Sequence, residues 1–206
     1  MRTSGHGEQW LKSRYGWATA SRLADLMAKT KTGVSASRAK YMAQVCVERI
    51  TNQPYDSGFT SAAMQRGIEL EPVAISAYEA HQFVTVEPAS FVRHPRIEYA
   101  GASPDGFIGD DGLVECKCPE THTHLETVDG KSIDRRYMLQ MQFQMACSGR
   151  EWCDYVSFDN RLPGALALHV RRVSRDDGLI AEIESEVEQF LAEVAERVER
   201  YRRMAA

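Results

Sequence analysis

Two acids and a lysine lie close together in Ser103–Pro119, SPDGFIGDDGLVECKCP. Asp105 follows Pro104; Glu115 and Lys117 come after the run Gly109-Asp110-Asp111-Gly112. Gly and Asp tolerate the positive φ of tight hairpin turns, so the chain is expected to fold back at that run. Leu113–Lys117 reads as a short strand, in which alternate side chains share a face. Glu115 and Lys117 then point one way, Val114 and Cys116 the other. Folding back brings Asp105 to the Glu115/Lys117 face, and two carboxylates converge beside one ammonium group. Carboxylate oxygens with a backbone carbonyl suit a hard divalent cation such as Mg²⁺, commonly held by one or two carboxylates with substrate phosphate and water. A neighbouring lysine can orient or deprotonate a water that attacks phosphorus, or neutralise charge as it develops. A plainer alternative stands beside this one: Asp after Pro forms turns, and Glu-x-Lys on a strand can be a solvated face.

The segments Tyr99–Gly106 and Leu113–Pro119 resemble the phage lambda exonuclease family, the YqaJ-type viral recombinases, a branch of the PD-(D/E)XK nucleases. The resemblance implies an α/β fold, a mixed central β-sheet flanked by helices in a restriction-endonuclease-like core. It implies Mg²⁺-dependent hydrolysis of DNA, with Mn²⁺ as a substitute, and metal held by Asp105, Glu115 and the Cys116 carbonyl. Gly67, Glu71, Pro72 and Ala74 resemble a family helix whose glutamate faces the metal, which makes Glu71 a third acid. On residue physics alone, Glu71 is an ordinary surface position. Tyr137-x₂-Gln140-x-Gln142 resembles the helix after the catalytic strand, where Gln140 would support the lysine or the attacking water and Tyr137 would stack or hydrogen-bond nearby. The pattern W-x₃-R-x-G-x₂-T-A-S from Trp10 resembles the N-terminal segment in which Arg14 and Ser21 help hold a terminal 5′-phosphate. Ser103 would offer a further hydroxyl to phosphate. Without the resemblance, Ser21 is as readily a helix cap, Ser103 a turn cap and Arg14 a surface charge.

The implied activity is 5′-to-3′ digestion of one strand of linear double-stranded DNA, leaving 3′ overhangs for recombination. A homotrimeric ring around DNA and a single-strand annealing partner are implied with it. Some relatives place an arginine near Thr123; this chain has none there, which leaves His122 or His124 as stand-ins. Two alternatives use the same stretch. A restriction- or repair-type PD-(D/E)XK endonuclease would use the same acids. A zinc-stabilised DNA-binding module would use Cys116, Cys118, His122 and His124, although C-x-C is tighter than the spacing structural zinc pairs adopt.

Periodicity indicates which elements must position these groups. Helices are expected over 8–28 in two pieces parted at Gly16, the second starting at Thr19 or Ser21, and over 36–50 with Tyr41, Met42, Val45 and Cys46 inward. A third over 60–82 should kink or break near Gly67 and Pro72. Residues 137–147 should bury Met138, Met141, Met145 and Cys147; residues 176–204 carry the stripe Ile180, Ile183, Val187, Phe190, Leu191, Val194, Val198 and Tyr201. Short strands are expected at 83–86, 91–93 and 97–100, then at 152–159 and 165–173; 29–37, 51–58 and 128–133 read as polar loops.

With 206 residues, 43% hydrophobic and 26% charged, the chain reads as one domain, 1–206, with a substantial core. No apolar run reaches the roughly 18 residues needed to span a bilayer. The N-terminus lacks the apolar core of a secretory signal. Five cysteines without framework spacing favour a reducing cytoplasm. A net charge of −4 excludes a uniformly basic DNA binder, but Arg14, Arg22, Lys29, Lys31, Arg38 and Lys40 are concentrated early, compatible with a basic channel.

Overall fold

A computed structural model describes residues 14–31, 33–55 and 61–206. Trp10 and the expected helical piece over 8–13, Thr32 of the polar loop, and residues 56–60 lie outside the described residues. In chain order the elements are β1 (Ala18–Thr19), a 3₁₀ turn (Ala20–Arg22), α1 (Leu23–Leu26), β2 (Lys29–Thr30), β3 (Gly33–Val34), α2 (Ala36–Thr51) and α3 (Ala62–Gln82). There follow β4 (Val92–Arg93), β5 (Ala100–Ala102), β6 (Gly106–Ile108), β7 (Gly112–Lys117), α4 (Thr121–Val128), α5 (Arg135–Ser148), β8 (Trp152–Phe158), a 3₁₀ turn (Gly164–Ala167), β9 (Leu168–Ser174) and α6 (Asp177–Ala205).

The class is the expected α/β arrangement of mixed sheets flanked by helices, but the β-structure is divided. Among the described residues one sheet has the order β1-β5-β4, a second β6-β7-β8-β9, and β2-β3 form a separate hairpin. β1 runs parallel to β5 and β7 parallel to β8; the other pairings are antiparallel. The parallel pair β7-β8 needs a long crossover, which α4 and α5 supply. Between β5 and β6 only Ser103-Pro104-Asp105 intervenes, so these residues carry the chain from one sheet to the other. Pro104 has no N–H to give to a ladder, which suits it to a sheet boundary.

One core joins α2 and α6 with α1 and α5: Tyr41 and Phe190 stack at 5.3 Å between ring centres amid Met42, Val45, Ile183, Val187 and Val194. Asp176 caps α6 by accepting from the Leu179 N–H at 3.0 Å. The expected stripe is buried along α6 except for Tyr201, which is 38% exposed where the helix runs past the core. A second core sets Ala74, Ile75 and Tyr78 of α3 against Val114, Cys116 and Val156 of the larger sheet. That packing holds α3 as one helix through Gly67 and Pro72, so of the expected kink or break the break does not occur.

Other expectations changed too. Residues 18–19 are strand, and the helix after them is a single turn of four residues, α1. The 29–37 loop contains the β2-β3 hairpin. In place of a strand at 83–86 there is one bridge, Glu87 to Phe107. Residues 97–99 form a turn that ends on Tyr99 at φ 60°. The basic early residues do not all line an open channel. Arg38 makes two bonds of 2.9 Å to Glu193, Lys29 meets Glu186 at 2.5 Å and Arg22 meets Asp25 at 2.8 Å. Among the described residues no helix is long and apolar enough to cross a membrane.

Gly112 opens β7 against Trp152: a Cβ there would lie 2.3 Å from two ring atoms, and Arg172 stacks on that ring at 3.5 Å. Gly112→Ala is therefore expected to cost about 1–3 kcal/mol, the usual range for overpacking. The measurement is the urea midpoint, which should fall with the slope unchanged.

Candidate active site

β1 and β5 lie side by side and run the same way, Ala18 opposite Ala100 and Thr19 opposite Gly101. Ser21 follows the downstream end of β1 and Ser103 that of β5, with Asp105 two residues beyond Ser103. Arg14 Nη2 donates to Ser21 Oγ at 3.3 Å. Burial lowers the Arg14 pKa, partly offset by Tyr41 and Glu48. Ser21 does not cap α1; it lies inside the 3₁₀ turn. The Ser103 hydroxyl is buried without a hydrogen-bond partner.

The hairpin does what its turn residues require: Gly109 takes φ 51°, and Gly106 pairs with Val114. Carried one residue further, that register sets Asp105 opposite Glu115. Asp105 Oδ2 accepts from the Cys116 N–H at 2.7 Å. Glu115 is 1% exposed, and its carboxylate is ringed by donors. Gln140 Nε2 gives to Oε1 at 2.6 Å, Gln144 Nε2 gives to Oε2 at 2.6 Å, and the Lys117 ammonium also bonds Oε1. Lys117 lies 5.2 Å from the centre of the Tyr137 ring, which in turn neighbours Tyr155. Alternation sends the Cys116 thiol to the opposite face, into the apolar cluster with Val114.

Charge is undercompensated here. Burial, then the facing Glu115, and to a lesser degree Glu71, hold the Asp105 carboxyl well above the usual range, while Lys117 and the Cys116 N–H pull it back. Burial alone would lower Lys117; Glu115 and Asp105 outweigh it and raise it, so at neutral pH the group is an ammonium. Two opposed carboxylates with one lysine fit a divalent cation, which relieves such repulsion and suits oxygen donors. Glu71, on α3, is not gathered with them: among the described residues no group of three or more His, Cys, Asp or Glu side chains is arranged to hold a metal.

Several sequence-based roles move. Gln140, expected to support Lys117 or the attacking water, bonds Glu115 on the same oxygen that Lys117 bonds. Gln144 had no expected role, although its place four residues after Gln140 on one helix face is a signal for it. The zinc set does not form. His124 is fully buried with Nε2 2.8 Å from the Leu166 carbonyl and Nδ1 2.8 Å from Ser157 Oγ. Nε2 must donate to the carbonyl and Nδ1 is taken up by the Ser157 hydroxyl, so neither nitrogen is left over for zinc or phosphate. His122 is exposed on α4. The chain after Lys117 is fixed instead by arginines: Arg66 donates to the Cys118 and Pro119 carbonyls at 2.9 and 3.2 Å and to Asp159 at 3.0 Å. Arg161 chelates the same Asp159 and reaches Glu120.

Residues 9–151 match the YqaJ-like viral recombinase domain. A crystal structure of LHK-Exo in complex with dAMP is 47% identical, with TM-score 0.90 over 97% of this chain and 98% of that one. A second structure, of the alkaline exonuclease LHK-Exo from Laribacter hongkongensis, is 47% identical with TM-score 0.89 over the same 97% and 98%. A phage-related exonuclease from Haemophilus somnus shares the fold at 14% identity, with TM-score 0.65 over 88% of this chain and 96% of that one. No curated protein matches this chain.

Removing one of the facing charges is expected to stabilise the metal-free protein. Asp105 unfolds to a carboxyl of pKa about 4 but titrates higher when folded. Between those values the folded state holds the extra proton, so this contribution favours folding below about pH 4 and is lost as pH rises through the folded value. In chelator, Asp105→Asn should melt above the parent near neutral pH by a margin that shrinks on acidification. A margin independent of pH would show that folding does not raise the Asp105 carboxyl pKa.

Proposed function

Since this chain belongs to the YqaJ-like viral recombinase family and is a nuclease, we propose that it digests linear double-stranded DNA from 5′ to 3′ with Mg²⁺, Mn²⁺ substituting, and leaves 3′ overhangs for recombination. The observation that carries this reading is Asp105 opposite Glu115 across the hairpin, with Lys117 bonded to Glu115. Asp105, Glu115 and the Cys116 carbonyl would hold the cation, and Glu71, whose charge acts on Asp105, would serve a second one. When bound, a divalent cation polarises phosphoryl oxygen and acidifies water. Lys117, kept protonated by its two acids, orients the water by hydrogen bonding and offsets charge developing on the phosphate. Gln140 and Gln144 hold the Glu115 side chain still.

Polarity is assigned to Arg14, Ser21 and Ser103 as the 5′-phosphate pocket. In support, the first two are bonded to each other, and the third is a buried hydroxyl at the next strand end. A relative 47% identical was solved with dAMP, a deoxynucleoside monophosphate, and this chain would release such mononucleotides. The same reading makes 1–206 a single nuclease domain, working in the reducing cytoplasm with free cysteines, as a homotrimeric ring on DNA beside a single-strand annealing protein. A restriction- or repair-type endonuclease would use the same acids and differs in cutting closed circles.

End-labelled duplex should disappear in Mg²⁺ and persist in chelator, faster from 5′-phosphate than from 5′-hydroxyl ends, and Asp105→Ala should be inert. Covalently closed plasmid should survive. Nicking of the plasmid would replace the exonuclease with the endonuclease, and equal rates on both ends would remove the phosphate pocket alone.

A further inference from the structure

Gln144 is placed oddly for a residue that serves only the fold. Its side chain is fully buried on α5, and Nε2 donates to Glu115 Oε2 at 2.6 Å. The other end of the same amide, Oε1, is buried with no hydrogen-bond partner. An unpaired buried acceptor is costly, and a leucine of similar volume would carry none. Turning the amide over would aim an acceptor at a carboxylate. The orientation is therefore dictated by Glu115, at the expense of the amide's own satisfaction.

Gln140, one turn earlier, mirrors it by donating to Oε1 at 2.6 Å, and the four-residue spacing sets both amides on one face of α5. With Lys117 also on Oε1, three of the roughly four lone-pair sites of the carboxylate are engaged. The plane of Glu115 is thereby fixed from both oxygens. Gln142 offers the contrast. It lies between the two in sequence, and both ends of its amide are satisfied by backbone, Nε2 to the Ser174 carbonyl at 2.8 Å and Oε1 from the Asp176 N–H at 2.9 Å. That glutamine ties α5 to the start of α6 and touches no acid of the site.

We propose that Gln144 is a positioning residue, half of a two-glutamine clamp that sets the plane of Glu115 so that its remaining lone pair meets the cation shared with Asp105. The proposal rests on the reading that Asp105 and Glu115 together bind a divalent cation. Outer donors of this kind typically change metal affinity by about 10–100-fold when removed.

The test is Mn²⁺ binding to the whole protein without DNA, read by the electron paramagnetic resonance signal of free Mn²⁺. Gln144→Leu removes the donor and the orphan acceptor while keeping the volume; Gln144→Met repeats the test with a flexible side chain should the leucine pack poorly. Mn²⁺ should bind about 10–100-fold more weakly to either variant, with the melting temperature in chelator held near the parent's. Gln142→Leu should do the reverse, lowering the melting temperature and leaving Mn²⁺ affinity alone. Parental affinity in both Gln144 variants would overturn the clamp. Equal Mn²⁺ binding by the parent and Asp105→Asn would instead overturn the shared cation beneath it.

Discussion

Two carboxylates are held face to face against their own repulsion. Asp105 arrives on a three-residue crossing between sheets, and Glu115 on a strand buried on both faces. Neither would stay there on Coulombic grounds, since like charges in a site shielded from water resist joint ionisation. What holds them is the backbone. The antiparallel ladder of β6 and β7 sets the register, and the Cys116 N–H ties Asp105 to the facing strand. Folding energy spent elsewhere in the molecule keeps a locally unfavourable pair assembled, as is usual where groups are poised for chemistry.

The surrounding polar groups answer that pair in two ways. Some compensate charge directly: Lys117 and the two glutamine amides converge on Glu115. Others build the frame. Asp159 is fully buried and joins Arg66 of α3, Thr121 of α4 and Arg161 into one network around the chain that leaves β7. Asp154, on β8 upstream of Asp159, accepts from Tyr78 of α3 at 2.7 Å and from Arg172 at 2.8 and 2.9 Å. α3 is thus bound to the large sheet by two buried acids. That fixes where Glu71 stands, even though Glu71 is not one of a three-acid set. Buried ionic networks of this sort gain little net stability and are better understood as geometry.

α5 shows why the site needs a helix of unusual composition. It lies between the two sheets' elements and the α6 core, so nearly every face meets protein; Phe143 and Ala146 join the helical core while Met141 and Met145 pack under β7 and β8. A helix buried all round should be apolar all round. The three glutamines break that rule because each amide is aimed at a specific acceptor, two at Glu115 and one at the Ser174 carbonyl.

Much of this was legible in the residues. Gly and Asp punctuation and strand alternation predict the hairpin and bring Asp105, Glu115 and Lys117 to one face, because turn chemistry and a two-residue period are local properties. The apolar stripes of α2 and α6 are likewise written in spacing, and a resemblance supplied Arg14, Ser21, Ser103, Glu71 and Gln140, which local physics leaves ambiguous. Tertiary contact decided the rest. It kept α3 whole through Pro72, satisfied His124 with Ser157 and Leu166 so that no zinc set forms, paired Arg38 and Lys29 with acids more than a hundred residues away, and turned Gln140 and Gln144 onto Glu115. A side chain's local sequence limits which hydrogen bonds it can make; which partner it meets depends on what the fold carries into reach.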